Sequence, residues 1–155
     1  MATIYVSSAL PTNVDHLLMD TSAALALVHR ANPFHPWVED VVAGRMVGLA
    51  GHAYIETYSV LTRLPSTARV SPGNAVRLIA SQFPASRFLE PHQYGTILED
   101  LRDLGVGGGA VYDALVAACA RAHGLPLVTC DLRARSTYRL LGTEVLAPPA
   151  GIPRQ

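Results

Sequence analysis

The run AVYDALVAACARAHGLPLVTCD, residues 110–131, constrains the fold more than any other part of the chain. Residues 110–123 predict a helix with Val111, Leu115, Ala118 and Ala122 on one face, while the side holding Asp113 continues with Val116, Ala117 and Ala120. A helix that is apolar all round is buried on most of its sides. Gly124 stops it, and LPLVTCD, 125–131, reads as a strand. Two carboxylates also sit in this apolar run, Asp113 and Asp131. A buried carboxylate costs several kcal/mol unless something pairs with it, and the local sequence supplies no partner.

The rest of the chain repeats the alternation. Strand-like runs at 16–20, 46–51, 86–91 and 144–148 are separated by helical stretches at 21–28, 33–45, 53–64, 71–83 and 93–105. Ser71 followed by Pro72 is a helix start, Pro65 a stop, and GVGGG at 105–109 breaks the chain before the buried helix. The expected class is α/β, with a mainly parallel sheet covered by helices on both faces. No repeat or linker divides the chain, and its 155 residues suffice for one domain that buries roughly 70% of the unfolded surface. That domain is expected over 16–147, with 1–15 as an N-terminal extension and the Pro-rich 148–155 as a tail.

Composition removes several chemistries. All twelve basic residues are arginine, so a phosphate loop ending in Gly-Lys, a Schiff base and a lysine general base are excluded. Arginine still suits phosphate, because its planar fork binds two oxygens. The two cysteines, Cys119 and Cys130, read as buried thiols of a reducing compartment, and the six histidines are scattered singly, unlike a zinc site. No apolar run reaches the roughly 18 residues of a membrane span, and the first residues lack the basic start of a signal peptide. A cytoplasmic protein is expected.

Four acids stand out. Asp20 and Asp131 each end a strand-like run, where open α/β sheets place their functional crevice. Asp20 equally suits a helix cap, and Asp131 a turn. Asp113 lies in the buried helix near its amino end, where the helix dipole offsets part of a charge's cost. Glu56 lies in a helix with Val60 one turn on, so its face need not be fully wet. Ser22 and Thr129 are candidate supports; strand alternation puts Leu127, Thr129 and Asp131 on one side.

The order LLMDTSAALALV, YIETYSVLTRL, then VYDALVAACARAHGLPLVTCD before an Arg-containing segment resembles the PIN-domain ribonucleases, specifically the VapC toxins of type II toxin–antitoxin systems. The resemblance spans residues 16–147 and is most specific from Asp113 to LVTCD. It implies a PIN-like α/β/α sandwich in which Asp20, Glu56, Asp113 and Asp131 hold Mg²⁺ or Mn²⁺, with Ser22 and Thr129 beside the metal. Hard cations take oxygen ligands, and four unneutralised carboxylates would raise one another's pKa values. The resemblance further implies an endoribonuclease, a homodimer and a cognate VapB-type antitoxin. No further acid follows Asp131 closely, so one ion and two ions both remain open.

With four acids gathered in a pocket, eight remain elsewhere against twelve arginines, which suits a nucleic-acid partner. Arg133, Arg135 and Arg139 follow Asp131 closely and are candidate phosphate contacts, although each also fits a solvated loop or helix. Two other readings compete. A phospho-acceptor receiver domain also gathers aspartates at strand ends, but it needs a lysine that this chain lacks. A catalytically inactive PIN-like module that binds RNA or protein is the alternative within the same fold.

Overall fold

The computed structural model describes residues 14–152. Four short strands, β1 (His16–Met19), β2 (Met46–Leu49), β3 (Leu127–Val128) and β4 (Val145–Leu146), form one sheet in the order β2-β1-β3-β4. Every pairing is parallel, with Leu18 opposite both Gly48 and Leu127. Among the described residues seven helices accompany them: α1 (Thr21–Val28), α2 (His35–Val42), α3 (Ala53–Arg63), α4 (Pro72–Gln82), α5 (Gln93–Leu104), α6 (Ala110–Ala122) and α7 (Arg135–Leu140).

Strand alternation divides the interior into two cores. Leu17, Met19, Val47, Leu49, Val128 and Leu146 face a layer built from α1, α2, α4 and the carboxyl half of α3. Leu18, Leu127 and Val145 face the other layer, where Ile97 and Leu101 of α5, Ala114 to Ala120 of α6 and Tyr138 of α7 pack. The sandwich therefore has helices on both faces, as the alternation of runs predicts. From Val116 to Ala120 every residue of α6 is buried, although Ala122 at its exposed end is not. Gly105 and Gly124, at φ 68° and 62°, end α5 and α6 in the left-handed conformation that glycine adopts without a Cβ penalty.

Two expectations change. The strand expected at 86–91 is an isolated bridge between Ala50 and Arg87, with the 85–87 backbone laid along the β2 edge. Ala85 and Arg87 donate to the carbonyls of Val47 (3.2 Å) and Leu49 (3.1 Å), but Leu49 N–H donates to the Ser86 hydroxyl (2.9 Å), so the ladder stops. The runs at 125–131 and 144–148 shorten to two residues each in β3 and β4, with Thr129 N–H still donating to Leu146 O at 2.9 Å past the end of β3. The segment after Asp131, for which loop and helix were both open, forms the short helix α7. Of the expected extension, residues 1–13 lie outside the description. Val14 and Asp15 are tied to the fold, accepting from Arg45 Nε (2.9 Å) and Met46 N–H (2.8 Å). The end of the expected tail, 153–155, is likewise outside the described residues.

Candidate active site

β1 and β3 are neighbours, so the residues that follow them emerge side by side at their carboxyl ends. Asp20 follows β1 and donates its backbone N–H to Val128 O at 3.2 Å. Its carboxylate is buried and accepts four hydrogen bonds. Oδ1 takes Ser22 Oγ (2.6 Å) and the Ala23 amide (2.9 Å), while Oδ2 takes the Thr129 hydroxyl and Tyr138 Oη (2.9 Å). The Ala23 contact makes Asp20 the N-cap of α1, so the capping role and the crevice position coexist.

The two supporting hydroxyls act as relays. Ser22 Oγ accepts the Cys130 amide (2.9 Å) while donating to Asp20, and Thr129 Oγ1 accepts the Asp131 amide (3.0 Å) while donating to Asp20. The backbone leaving β3 is thereby fastened to the carboxylate leaving β1. Asp131 accepts the Arg133 amide at 2.9 Å, which is the turn its position suggested. Glu56 projects from the exposed side of α3, and its Oε2 accepts the Thr21 hydroxyl at 3.0 Å.

Asp20, Glu56, Asp113 and Asp131 line one cleft of about 200 Å³, together with Thr21, Ser22, Leu25, Val116 and Tyr138. All four expected acids meet there, and no arginine or histidine is in the lining. The electrostatic consequence falls on Asp113. Its half-buried carboxyl is pushed above the usual range by desolvation first, then by the charges of Asp131, Asp20 and Glu56; Arg133 only partly opposes this. Burial also raises Asp20, against the pull of its four hydrogen bonds. Those donors anchor the Asp20 carboxylate, yet none carries a positive charge.

The sequence missed Tyr138 and Thr21. Tyr138 is fully buried in the core beneath the site, and burial next to Asp20 raises its phenol, so it remains a donor. An aromatic in an Arg-rich segment carries no mark of that role; its helix only becomes visible in three dimensions. Among the candidate arginines, Arg133 is exposed and has its Nε 3.6 Å from Asp131 Oδ1. Arg135 and Arg139 share α7 one turn apart and lie outside the cleft lining; burial, then the charge of Arg139, lowers the Arg135 pKa. Cys119 is buried as expected, whereas Cys130 is only partly so. Burial pushes the Cys130 thiol up to about 12, which leaves it protonated and unsuited to nucleophilic attack.

The model of the family described as PIN domain matches residues 17–140. The chain belongs to the PIN-domain family. Within it, the chain is 42% identical over 130 residues to Ribonuclease VapC27 of Mycobacterium tuberculosis, covering 84% of this chain and 95% of the relative. Ribonuclease VapC40 of the same species is 45% identical over 103 residues, covering 65% and 76%. Among solved structures, FitAcB from Neisseria gonorrhoeae aligns over 84% of this chain and 96% of its own, with a TM-score of 0.58 at 17% identity. That likeness concerns the PIN fold alone. No helix among the described residues is long and apolar enough to cross a membrane.

Proposed function

We propose that this PIN domain is an endoribonuclease toxin of the VapC type, dependent on Mg²⁺ or Mn²⁺ and neutralised by a cognate VapB-type antitoxin. The single observation that carries the reading is the convergence of Asp20, Glu56, Asp113 and Asp131 on one cleft whose lining contains no basic side chain. The relatives named as VapC ribonucleases, one of them matched over 95% of its length, support RNA as the substrate. A homodimer and a cytoplasmic location belong to the same proposal. The alternative, an inactive PIN-like binding module, would need no such concentration of uncompensated carboxylates.

The donor set fits a hard divalent cation. It consists of oxygens alone, and positive charge in the cleft would relieve the carboxylate repulsion that, after burial, raises Asp113. Among the described residues no three His, Cys, Asp or Glu side chains stand close enough to ligate one ion together, so the four acids would have to draw in around a cation or reach it through the waters it retains. When bound, the cation supplies Lewis acidity toward phosphate oxygen and an acidified water for attack on phosphorus. The chain's own residues set the frame. Ser22, Thr129, Tyr138 and the Ala23 amide immobilise Asp20, and the Thr129 relay holds the start of the Asp131 turn against it. Buried α6 fixes Asp113 opposite them. Arg133, outside the lining and exposed, offsets the acids only in part, through Asp131, and is placed to meet a backbone phosphate.

The direct experiment incubates purified protein with total cellular RNA, with Mg²⁺ or Mn²⁺ or with excess EDTA, and sequences the new ends. Discrete cuts that require the metal are expected. RNA that binds but stays intact under every condition would favour the inactive module.

A pH dependence follows from the raised acids. A carboxyl whose folded pKa lies above its unfolded value binds its proton more tightly in the fold, so its ionised form costs stability above the folded pKa. Acidification toward the raised values of Asp113 and Asp20 removes that cost. Metal-free protein is therefore expected to recover this cost as the pH falls from neutrality through the raised carboxyl range, with the recovery reduced in Asp113→Asn and by saturating Mg²⁺. Melting curves in EDTA check this; a pH response identical in parent and variant would remove Asp113 as a source.

A further inference from the structure

Beside the acids stands an aromatic pair that their chemistry does not use. The rings of His52 and Tyr112 stack with centroids 4.9 Å apart and planes inclined by 24°. His52 caps α3 one turn before Glu56, whose amide donates to His52 O at 3.2 Å. Tyr112 lies in the first turn of α6, next to Asp113 and one turn before Val116. Glu56 and Val116 both line the acidic cleft. On both helices the stack thus lies one turn, about 6 Å of rise, toward the amino end from the cleft wall, and helical side chains lean in that direction.

Tyr112 remains 55% exposed despite the stack, which leaves ring surface for another aromatic group. Gly107, Gly108 and Gly109 lead into α6 just before it and carry no side chains of their own. The cleft itself carries four acids and repels a polyanion. Stacking on a nucleobase holds RNA there without adding the positive charge that would neutralise those acids, and it tolerates any sequence because every base has a π face.

We propose that His52 and Tyr112 form a base-stacking platform that holds a nucleotide flanking the scissile phosphate, with Tyr112 as the contacting ring and His52 as its backing. The proposal rests on the ribonuclease reading, but it can fail separately. The probe is a random-sequence RNA heptamer pool with 2-aminopurine at the central position, titrated with protein in Mg²⁺ on an Asp113→Asn background so that the RNA stays whole. Fluorescence quenching on binding is expected. Tyr112→Ala should remove most of the quenching and weaken binding about tenfold, Tyr112→Phe should restore both, and His52→Ala should have a smaller effect. Unchanged quenching and affinity in Tyr112→Ala would overturn the platform alone. A change in molecular mass of Tyr112→Ala in sedimentation, with quenching unaltered, would assign the stack to a protein contact instead. Absence of RNA binding by every form overturns the platform, while cutting of total RNA by the parent separately decides the ribonuclease reading.

Discussion

Asp113→Asn is expected to lower RNA cleavage by at least about a hundredfold, the scale of removing one preorganised charged group from a catalytic site, while the protein stays folded. The side chain leaves the first turn of α6, whose following residues from Val116 to Ala120 are all buried, so the helix does not depend on the carboxylate for its position. Asparagine keeps the shape and one oxygen but cannot carry the charge that the cleft presents. The substitution also removes the member of the set that feels the charges of Asp131, Asp20 and Glu56 together. Lower activity should therefore accompany equal or greater stability of the metal-free protein, a combination that a folding defect does not produce. Cleavage assays paired with melting curves read both; parental activity in a folded Asp113→Asn protein would remove Asp113 from the mechanism.

The largest stability effect is expected outside the cleft lining, at Gly48. A Cβ at this position of β2 would stand 2.1 Å from Ala85 O and 2.3 Å from the Ser86 amide nitrogen, both backbone atoms that cannot swing away. Gly48→Ala must push the 85–87 segment off the β2 edge, breaking the hydrogen bonds to Val47 and Leu49 and the contact of His16 Nε2 with Ala85 O (2.9 Å). A loss of about 3 kcal/mol or more is expected, at the upper end for overpacking because the obstacle is main chain. Gly95→Ala is the matched control: it lies inside α5 with nothing within 4 Å, and should stabilise by roughly 0.5–1 kcal/mol through reduced chain entropy. Denaturant unfolding of the two variants measures both. Equal stability of Gly48→Ala and the parent would show that the 85–87 segment is not held where β2 requires it.

The same glycine explains why the run at 86–91 misled as a strand. SRFLEP has the composition of a strand, and it does lie along the sheet. Contact with Gly48 and the Ser86 hydroxyl in place of a ladder partner limit it to one bridge. Conversely, the sequence left α7 undecided between loop and helix because RSTYRL is short and too polar to show helical periodicity; Tyr138 and Leu141 anchor it in the core only once α6 and β4 are in place.

What the sequence determined by itself is what local spacing encodes. Period-two and period-3.6 apolar patterns specified the α/β class, and the breaks at Pro65, Gly105 and Gly124 bounded its elements. The positions of Asp20 and Asp131 after strand-like runs, and of Asp113 in an all-round apolar helix, marked three of the acids. The tertiary structure decided what those acids touch. Tyr138 reaches Asp20 across 118 positions and Thr129 across 109, while His52 meets Tyr112 from another helix. Serine, threonine, tyrosine and histidine are commonplace on the surface of any chain. Their roles depend on which strand ends and helix starts become neighbours, and that follows from the burial of two apolar cores against one sheet, a cooperative outcome of the whole sequence.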